Sequence, residues 1–403
     1  MPSTFSWLDY SDHERRRVLD VVELFGEKTT VDEIGIGSVR DAFADAWFPG
    51  TSTIQTTAKY FLLVPWTYVS LESKSVGSDR IAEYARRLEI KTIQSLVDSG
   101  AKNGVIGRIA RDSLQRLPSG VYWQGLATWG IRTCDGSQDV YQRSIDRFYS
   151  QRKAAKNRHV EFEGESPESI ISNWDPELPP VPDNFPDGMN MDLSFEEASY
   201  LQHRIINSCP DSMLAFIMRE NTPVQDESFL WDIELTLPPP LRSQLSHGRL
   251  FSEVVHGAQL LYNVILAELK AWDDQLERFR EALSEWTLLI QSRNEEIQLW
   301  NLSDFWTVVG KTNPRVGKPV REFIEGWIEL VRSTAAGESL WESKQARELI
   351  KMRERQIKKG LARVLGGRPL ELWGGESGTA QFDFRWRSAR RIYLDIQRGL
   401  EQR

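Results

Sequence analysis

The chain has 403 residues, 40 % of them hydrophobic and 27 % charged, which is the balance of a folded globular protein with material for two or three domains. A net charge of −8 argues against a surface that is basic throughout. Its two cysteines, Cys134 and Cys209, lie too far apart for a zinc or redox motif and read as buried thiols of a reducing compartment.

The start, "MPSTFSWLDYSDHERRR", lacks the apolar region of a signal peptide, and no stretch approaches the ~18 apolar residues of a membrane span. A cytoplasmic protein without a membrane partner is expected. In "SDHERRRVLDVVELFGE", Ser11 and Glu14 form a capping box and Val18, Val21, Val22 and Phe25 mark one helical face. "GSVRDAFADAWFPG" repeats the pattern, with Ser38 as cap, Asp41 at the reciprocal position and an apolar stripe through Val39, Phe43 and Trp47. Pro49 and Gly50 turn the chain. In "TSTIQTTAKYFLLVPW" one of Thr51 to Thr53 is expected to cap a helix whose inner face holds Ile54, Ala58, Phe61 and Leu62. Gln55 and Lys59 are then left over at a helix start, where they suit a phosphate contact or simply meet water or a neighbouring loop; on either reading folding would tolerate their replacement.

"IAEYARRLEIKTIQSLVDSG" predicts a helix stopped by Gly100. "NGVIGRIARDSLQRLPSGVYWQGLATWGI" predicts two helices broken at Pro118. The first carries Arg108, Arg111 and Arg116 outside; the second starts at a Ser119 cap and aligns Tyr122, Gly125, Leu126 and Trp129 on one face. Short helices joined by tight turns suggest helix-turn-helix character. "RSIDRFYSQRKAAKNRH" is basic and offers Arg147, Arg152, Lys153, Lys156 and Arg158. The following stretch, rich in acids, Pro and Gly, has no Lys or Arg before Arg204 and reads as a linker that buries little. It is also placed to fold over the basic stretch before it. The division expected is a helical domain over 1–159, a linker over 160–192 and a helical domain over 193–403.

The last region opens on a second capping box, Ser194 with Glu197, in "LSFEEASYLQHRII". "GRLFSEVVHGAQLLYNVILAELKAW" is apolar around much of its circumference and is expected at the centre of its domain. "ESLWESKQARELIKMRERQIKKGLARVLGG" predicts a long charged helix ended by a glycine pair, with Lys351, Arg355, Lys358 and Lys359 on one face. Arg385, Arg387, Arg390 and Arg391 follow, interleaved with Phe384, Trp386 and Tyr393. Arg beside aromatic rings suits phosphate and base contacts, or a protein interface. A solvated helix face is the plainer alternative. Fifteen Trp fit either well-filled cores or interfaces.

Catalytic signals are sparse. The sequence has no GxxxxGK[ST] loop, no GxSxG elbow and no HExxH among its five histidines. Gly35-Ile36-Gly37 begins a GxGxxG pattern that Arg40 breaks. Asp232 and Glu234 in "FLWDIELTL", read as a strand, and the pair Glu268 and Lys270 leave a metal-dependent nuclease as an alternative. No catalytic, cofactor or metal residue is assigned.

The blocks "FSWLDYSDHERRR", "IGIGSVRDAFADAWFPGTSTIQTTAKYFLLVPW", "GVIGRIARDSLQRLPSGVYWQGLATWGI" and "LFSEVVHGAQLLYNVILAEL" resemble a bacterial and archaeal family of unknown function, and the likeness extends to "FRWRSARRIYLDI". The resemblance implies a genetic setting near helicase and nuclease genes of phage defence, and no mechanism. The expectation is a mainly α-helical, non-enzymatic accessory subunit of a DNA-directed defence complex. It would bind DNA or a nearby-encoded protein partner such as a helicase or nuclease, without a cofactor. A metal nuclease and a pure protein scaffold are the alternatives.

Overall fold

In the computed structural model the described residues are 32–161, 172–334 and 340–402, with the side chains of 156–161 and 334 left aside. The helix expected around Ser11 and Glu14 lies outside them. The helices in chain order are α1 (Gly37–Trp47), α2 (Tyr60–Ser73), α3 (Ile81–Asp98), α4 (Pro118–Thr128), α5 (Gln138–Glu161), α6 (Phe195–Ser208), α7 (Met213–Arg219) and α8 (Pro239–Leu269). They continue as α9 (Asp273–Ser292), α10 (Asn294–Gln298), α11 (Leu302–Thr312), α12 (Lys318–Thr334), α13 (Lys344–Lys358), α14 (Arg368–Glu371) and α15 (Trp386–Leu400). Among the described residues there is no strand, only an isolated bridge between Arg132 and Trp174, so the fold is mainly α-helical.

Two compact units emerge, and each closes over distant parts of the sequence. Among the described residues, one unit comprises Phe48–Gln225 and 387–402, the other 32–47 and Asp226–Trp386. The linear division expected from the sequence groups the chain differently, because the first unit includes the C-terminal helix α15 and the second includes α1 from near the start.

In the first unit α2 is buried on nearly every side, from Tyr60 through Tyr68. It runs through Pro65, which removes one internal hydrogen bond, and ends at Ser73 rather than at the proline. Its start also differs from expectation: residues 51–59 form turns, and the helix begins only at Tyr60 with no side-chain cap. The reason is close packing of this loop on α4. Gly50 has φ +82°, and a Cβ there would meet the Trp129 indole. Trp129 stacks on Phe61 at 3.8 Å between centroids and donates from Nε1 to Pro49 O.

Two further expectations give way in this unit. Residues 101–117 hold only a short 3-10 turn, Arg111–Ser113, because Gly104, Gly107 and Arg111 take positive φ and interrupt any helix. Ser119 does not cap α4. Pro118 opens that helix, and the Ser119 hydroxyl turns inward to donate to Glu89. The segment 172–192 is irregular as expected, yet it buries Trp174. One Glu72 oxygen accepts from Tyr141 Oη at 2.6 Å and from Asn173 Nδ2 and Trp174 Nε1 at 3.0 Å each, which ties this acidic segment to α2 and α5. The Ser194–Glu197 capping box is present at the start of α6. The C-terminal α15 closes the unit: Asp395 Oδ2 accepts from Ala58 N, and Tyr393 Oη donates to Thr222 O.

The second unit is built around α8, whose 31 residues begin at a Pro-Pro pair suited to the first helical turn. This helix is long and apolar enough to cross a membrane, but 94 % of its most apolar stretch is buried, the position of a core helix. Neighbours approach it closely. Trp286 of α9 and Trp327 of α12 donate from their indoles to Glu253 O and Val254 O, at 2.7 and 2.8 Å. A Cβ at Gly257 would lie 2.3 Å from the Trp286 ring, so glycine makes this helix contact possible. In α1, Ser38 is not the cap. The Asp32 carboxylate accepts from Ile36 N and Gly37 N instead, at 2.9 and 2.7 Å. Residues 230–232 of the expected strand form a 3-10 turn. The charged helix α13 ends at Lys358, where Lys359 takes φ +52°, well before the glycine pair.

Candidate functional site

The basic and aromatic residues singled out in the sequence divide sharply by environment. Gln55 is 2 % exposed; its Nε2 donates to Gly50 O and its Oε1 accepts from Ser52 N, so it staples its own loop. Lys59 is 6 % exposed. Its Nζ donates to Glu197 Oε2 at 2.7 Å and Asp192 O at 2.9 Å, and lies 5.5 Å from the Trp66 ring centroid. Neither side chain faces solvent, so neither is available to a phosphate. A buried ammonium needs a paired carboxylate, and Glu197 provides it while also closing the α6 cap.

The α13 cluster is largely consumed inside the second unit. Lys351 pairs with Glu348, Arg347 with Glu268, and Lys358 with both Glu33 and Glu354. Arg363, outside the helix, pairs with Glu33 and reaches Tyr262 and Ser377. Burial alone would push the Glu33 carboxyl up, but Lys358 and Arg363 outweigh it and hold it below its usual range. Arg353 is buried and donates to Ile34 O, Gly35 O and Pro319 O. Of the face expected to be free, Arg355 and Lys359 are exposed without an ion pair among the described residues. Arg385 pairs with Asp45 and Asp41. In α15, Arg387 is exposed and Arg390 half-buried, while Arg391 is exposed and donates to Gln55 O at 3.3 Å.

Several other basic residues of the first unit lie outside. Arg108 and Arg111 are exposed on the 101–117 loop. In α5 the apolar positions Tyr141, Ile145 and Phe148 are buried, and beyond them residues 150–154 are all exposed. Arg147, Arg152 and Lys153 are exposed there and make no ion pair among the described residues. The two acids of this stretch are engaged: Asp139 pairs with Arg143, and Asp146 accepts from Ser78 N and Oγ. The side chains of Lys156 and Arg158 lie outside the described residues.

Of the residues weighed for metal chemistry, Asp232 accepts from Phe229 N, while Glu234 is exposed. Glu268 pairs with Arg347 and Arg280, and Lys270 donates to Glu371 O and Trp373 O. Among the described residues no three His, Cys, Asp or Glu converge on a point that would hold a metal. His247 Nδ1 accepts from Trp300 Nε1, and His256 Nε2 lies 2.9 Å from Thr379 O. Cys134 and Cys209 are free, and burial pushes both thiols up, away from nucleophilic character. Among the described residues eleven tryptophans are buried, so core filling accounts for most of them.

Sequence reasoning passed over the buried carboxylates Glu72, Glu89 and Glu354, which sit in helices with no motif to announce them. Glu89 is fully enclosed, and burial pushes its carboxyl up to about 7, offset in part by hydrogen bonds from Ser119 N and Oγ and by Arg86. Between its ordinary value of 4.5 and about 7, the unfolded chain releases this proton while the folded chain keeps it. Stability therefore falls as pH rises through that window, by about 3 kcal/mol in total, and levels off above it. Glu89→Gln is expected to flatten this part of the pH–stability profile in urea unfolding. A variant with the parental slope would contradict the assignment.

The chain matches no curated protein and no solved structure. Residues 2–398 match the model of a family of unknown function, DUF6361, and the chain belongs to that family.

Proposed function

We propose that the protein is a non-enzymatic helical accessory subunit that holds nucleic-acid phosphates on the exposed face of the stretch 147–153 of α5. The observation that carries this reading is the contrast in charge environment. The α13 cations are mostly neutralised within their own unit, whereas Arg147, Arg152 and Lys153 stand exposed on a helix whose acids, among the described side chains, are engaged with Arg143 and Ser78. A helix face with unpaired cations neutralises phosphates without regard to sequence. Arg108 and Arg111 on the 101–117 loop add positive charge to the same unit. The resemblance adds an anti-phage setting, in which a helicase or nuclease partner would supply the chemistry.

Arg147→Glu/Arg152→Glu/Lys153→Glu is expected to weaken duplex-DNA binding on the order of 10²-fold at about 0.15 M salt. Thermal stability should stay unchanged, since all three side chains are exposed. A gel-shift titration reads the effect. Loss of binding in Arg355→Glu/Lys359→Glu with full binding in the α5 variant would place the contact on the second unit and refute this assignment. Co-purification with a neighbouring gene product, free of nucleic acid and without DNA affinity at low salt, would favour a protein scaffold.

A further inference from the structure

We infer that a cavity of about 810 Å³ in the first unit binds a phosphate monoester of nucleotide size, with Arg132 as its buried cation. The inference stands apart from the α5 surface and rests on different residues. The cavity lies between one side of α4, the turn 132–137 that leads into α5, and the loop around Ser52 and Ile54. Its volume is in the range of small-molecule sites.

Arg132 is 5 % exposed, yet it has no ion-pair partner among the described residues. Its guanidinium sits 4.8 Å from the Trp123 ring centroid. Nε donates to Trp123 O, and Nη1 donates to Cys134 O. Nη2 has no protein acceptor among the described residues. Arg353 in the second unit shows the other way to bury an arginine, with all three nitrogens spent on protein oxygens. Nη2 is not enclosed, so a largely buried guanidinium that lines the cavity keeps an open donor with which to meet an anion.

The rest of the wall fits such an anion and something attached to it. Arg116 contributes a second guanidinium and Asp135 the one carboxylate, so the charged groups of the wall sum to positive. Guanidinium groups suit phosphate oxygens because their N–H groups form a planar fork. Ile54, Val121 and Ala127 supply an apolar side for the remainder of the ligand. The same phosphomonoester chemistry is offered by a free nucleotide and by the 5′ end of a nucleic-acid strand.

Cys134 lines the cavity and serves as a reporter, with Cys209→Ser removing the other thiol. Maleimide labelling of Cys134 in the full chain is followed during titration with AMP, a 5′-phosphorylated trinucleotide and its 5′-hydroxyl counterpart, with calorimetry in parallel. Saturable protection by AMP alone identifies a free nucleotide as the ligand class. Protection by the phosphorylated trinucleotide alone identifies a strand end, and protection by both leaves the phosphate as the shared determinant. Arg132→Gln is expected to abolish binding, Arg116→Gln to weaken it about tenfold, and Asp135→Asn to tighten it. Should Arg132→Gln fail to fold, Arg116→Gln decides, because Arg116 is exposed. No protection and no heat with any phosphate, equal protection by the 5′-hydroxyl trinucleotide, or undiminished binding in Arg116→Gln would overturn the inference.

Discussion

Lys59→Ala is expected to destabilise the first unit by about 3 kcal/mol, the range found when one partner of a buried ion pair is removed. The sequence reading predicted that folding would be indifferent at this position; the structure reverses that expectation. Lys59 Nζ bridges Glu197 and the Asp192 carbonyl, so its loss leaves the carboxylate of the α6 cap half-buried with only the Ser194 N–H. The aliphatic stem and its contact with Trp66 go too. Urea unfolding measures the change, and a shift within about 0.5 kcal/mol, as at an ordinary surface site, would contradict the account. DNA affinity of the folded variant should match that of the parent, because Lys59 is not exposed.

Glu354→Ala is expected to have the largest effect in the second unit, about 4 kcal/mol. Glu354 is 0 % exposed. Its Oε1 accepts from Tyr262 Oη at 2.6 Å, Lys358 Nζ at 2.9 Å and Arg363 N at 3.1 Å, and its Oε2 accepts from Val364 N at 3.0 Å. Truncation strands two backbone N–H groups and a phenol in an enclosed space, and leaves Lys358 with Glu33 as its one carboxylate partner among the described residues. These bonds also hold the turns that follow α13 against α8, through Tyr262. Glu354→Gln keeps the shape but presents an amide N–H₂ to a site made of donors, so about half the loss is expected to remain. An alanine variant within about 1 kcal/mol of the parent would show that the network is dispensable.

The helices most legible in the sequence are those whose signals are local. The Ser194–Glu197 box needs four residues to be read, and it is there in the structure. The apolar circumference of α8 announced a central helix, and the surrounding Trp side chains bear that out. Local reading failed where the backbone departs from helix without a breaker that the pattern weighs enough. Gly104, Gly107 and Arg111 turn an apolar periodicity at 105–114 into a loop. Ser38 and Ser119 sit at cap positions by spacing, but Asp32 and Pro118 open those helices.

The basic face of α13 was legible as composition and not as environment. Lys358 meets Glu33, 325 positions away, and Arg385 meets Asp45 at a separation of 340. No helical spacing encodes such partners, so a charge stripe looked free when long-range folding had already paired much of it. The same limit hid Arg132, a lone arginine in an unremarkable turn whose meaning comes from its burial beside a cavity.

The dependence of DNA affinity on salt tests the proposed nucleic-acid role most directly. Filter binding of a non-specific duplex between about 50 and 200 mM salt should give a linear fall of log K with log salt concentration for the parent protein. The Arg147→Glu/Arg152→Glu/Lys153→Glu chain should show a slope shallower by about 3, one phosphate contact for each lost cation. Identical slopes for the two proteins, or no affinity for DNA at the lowest salt, would contradict the account.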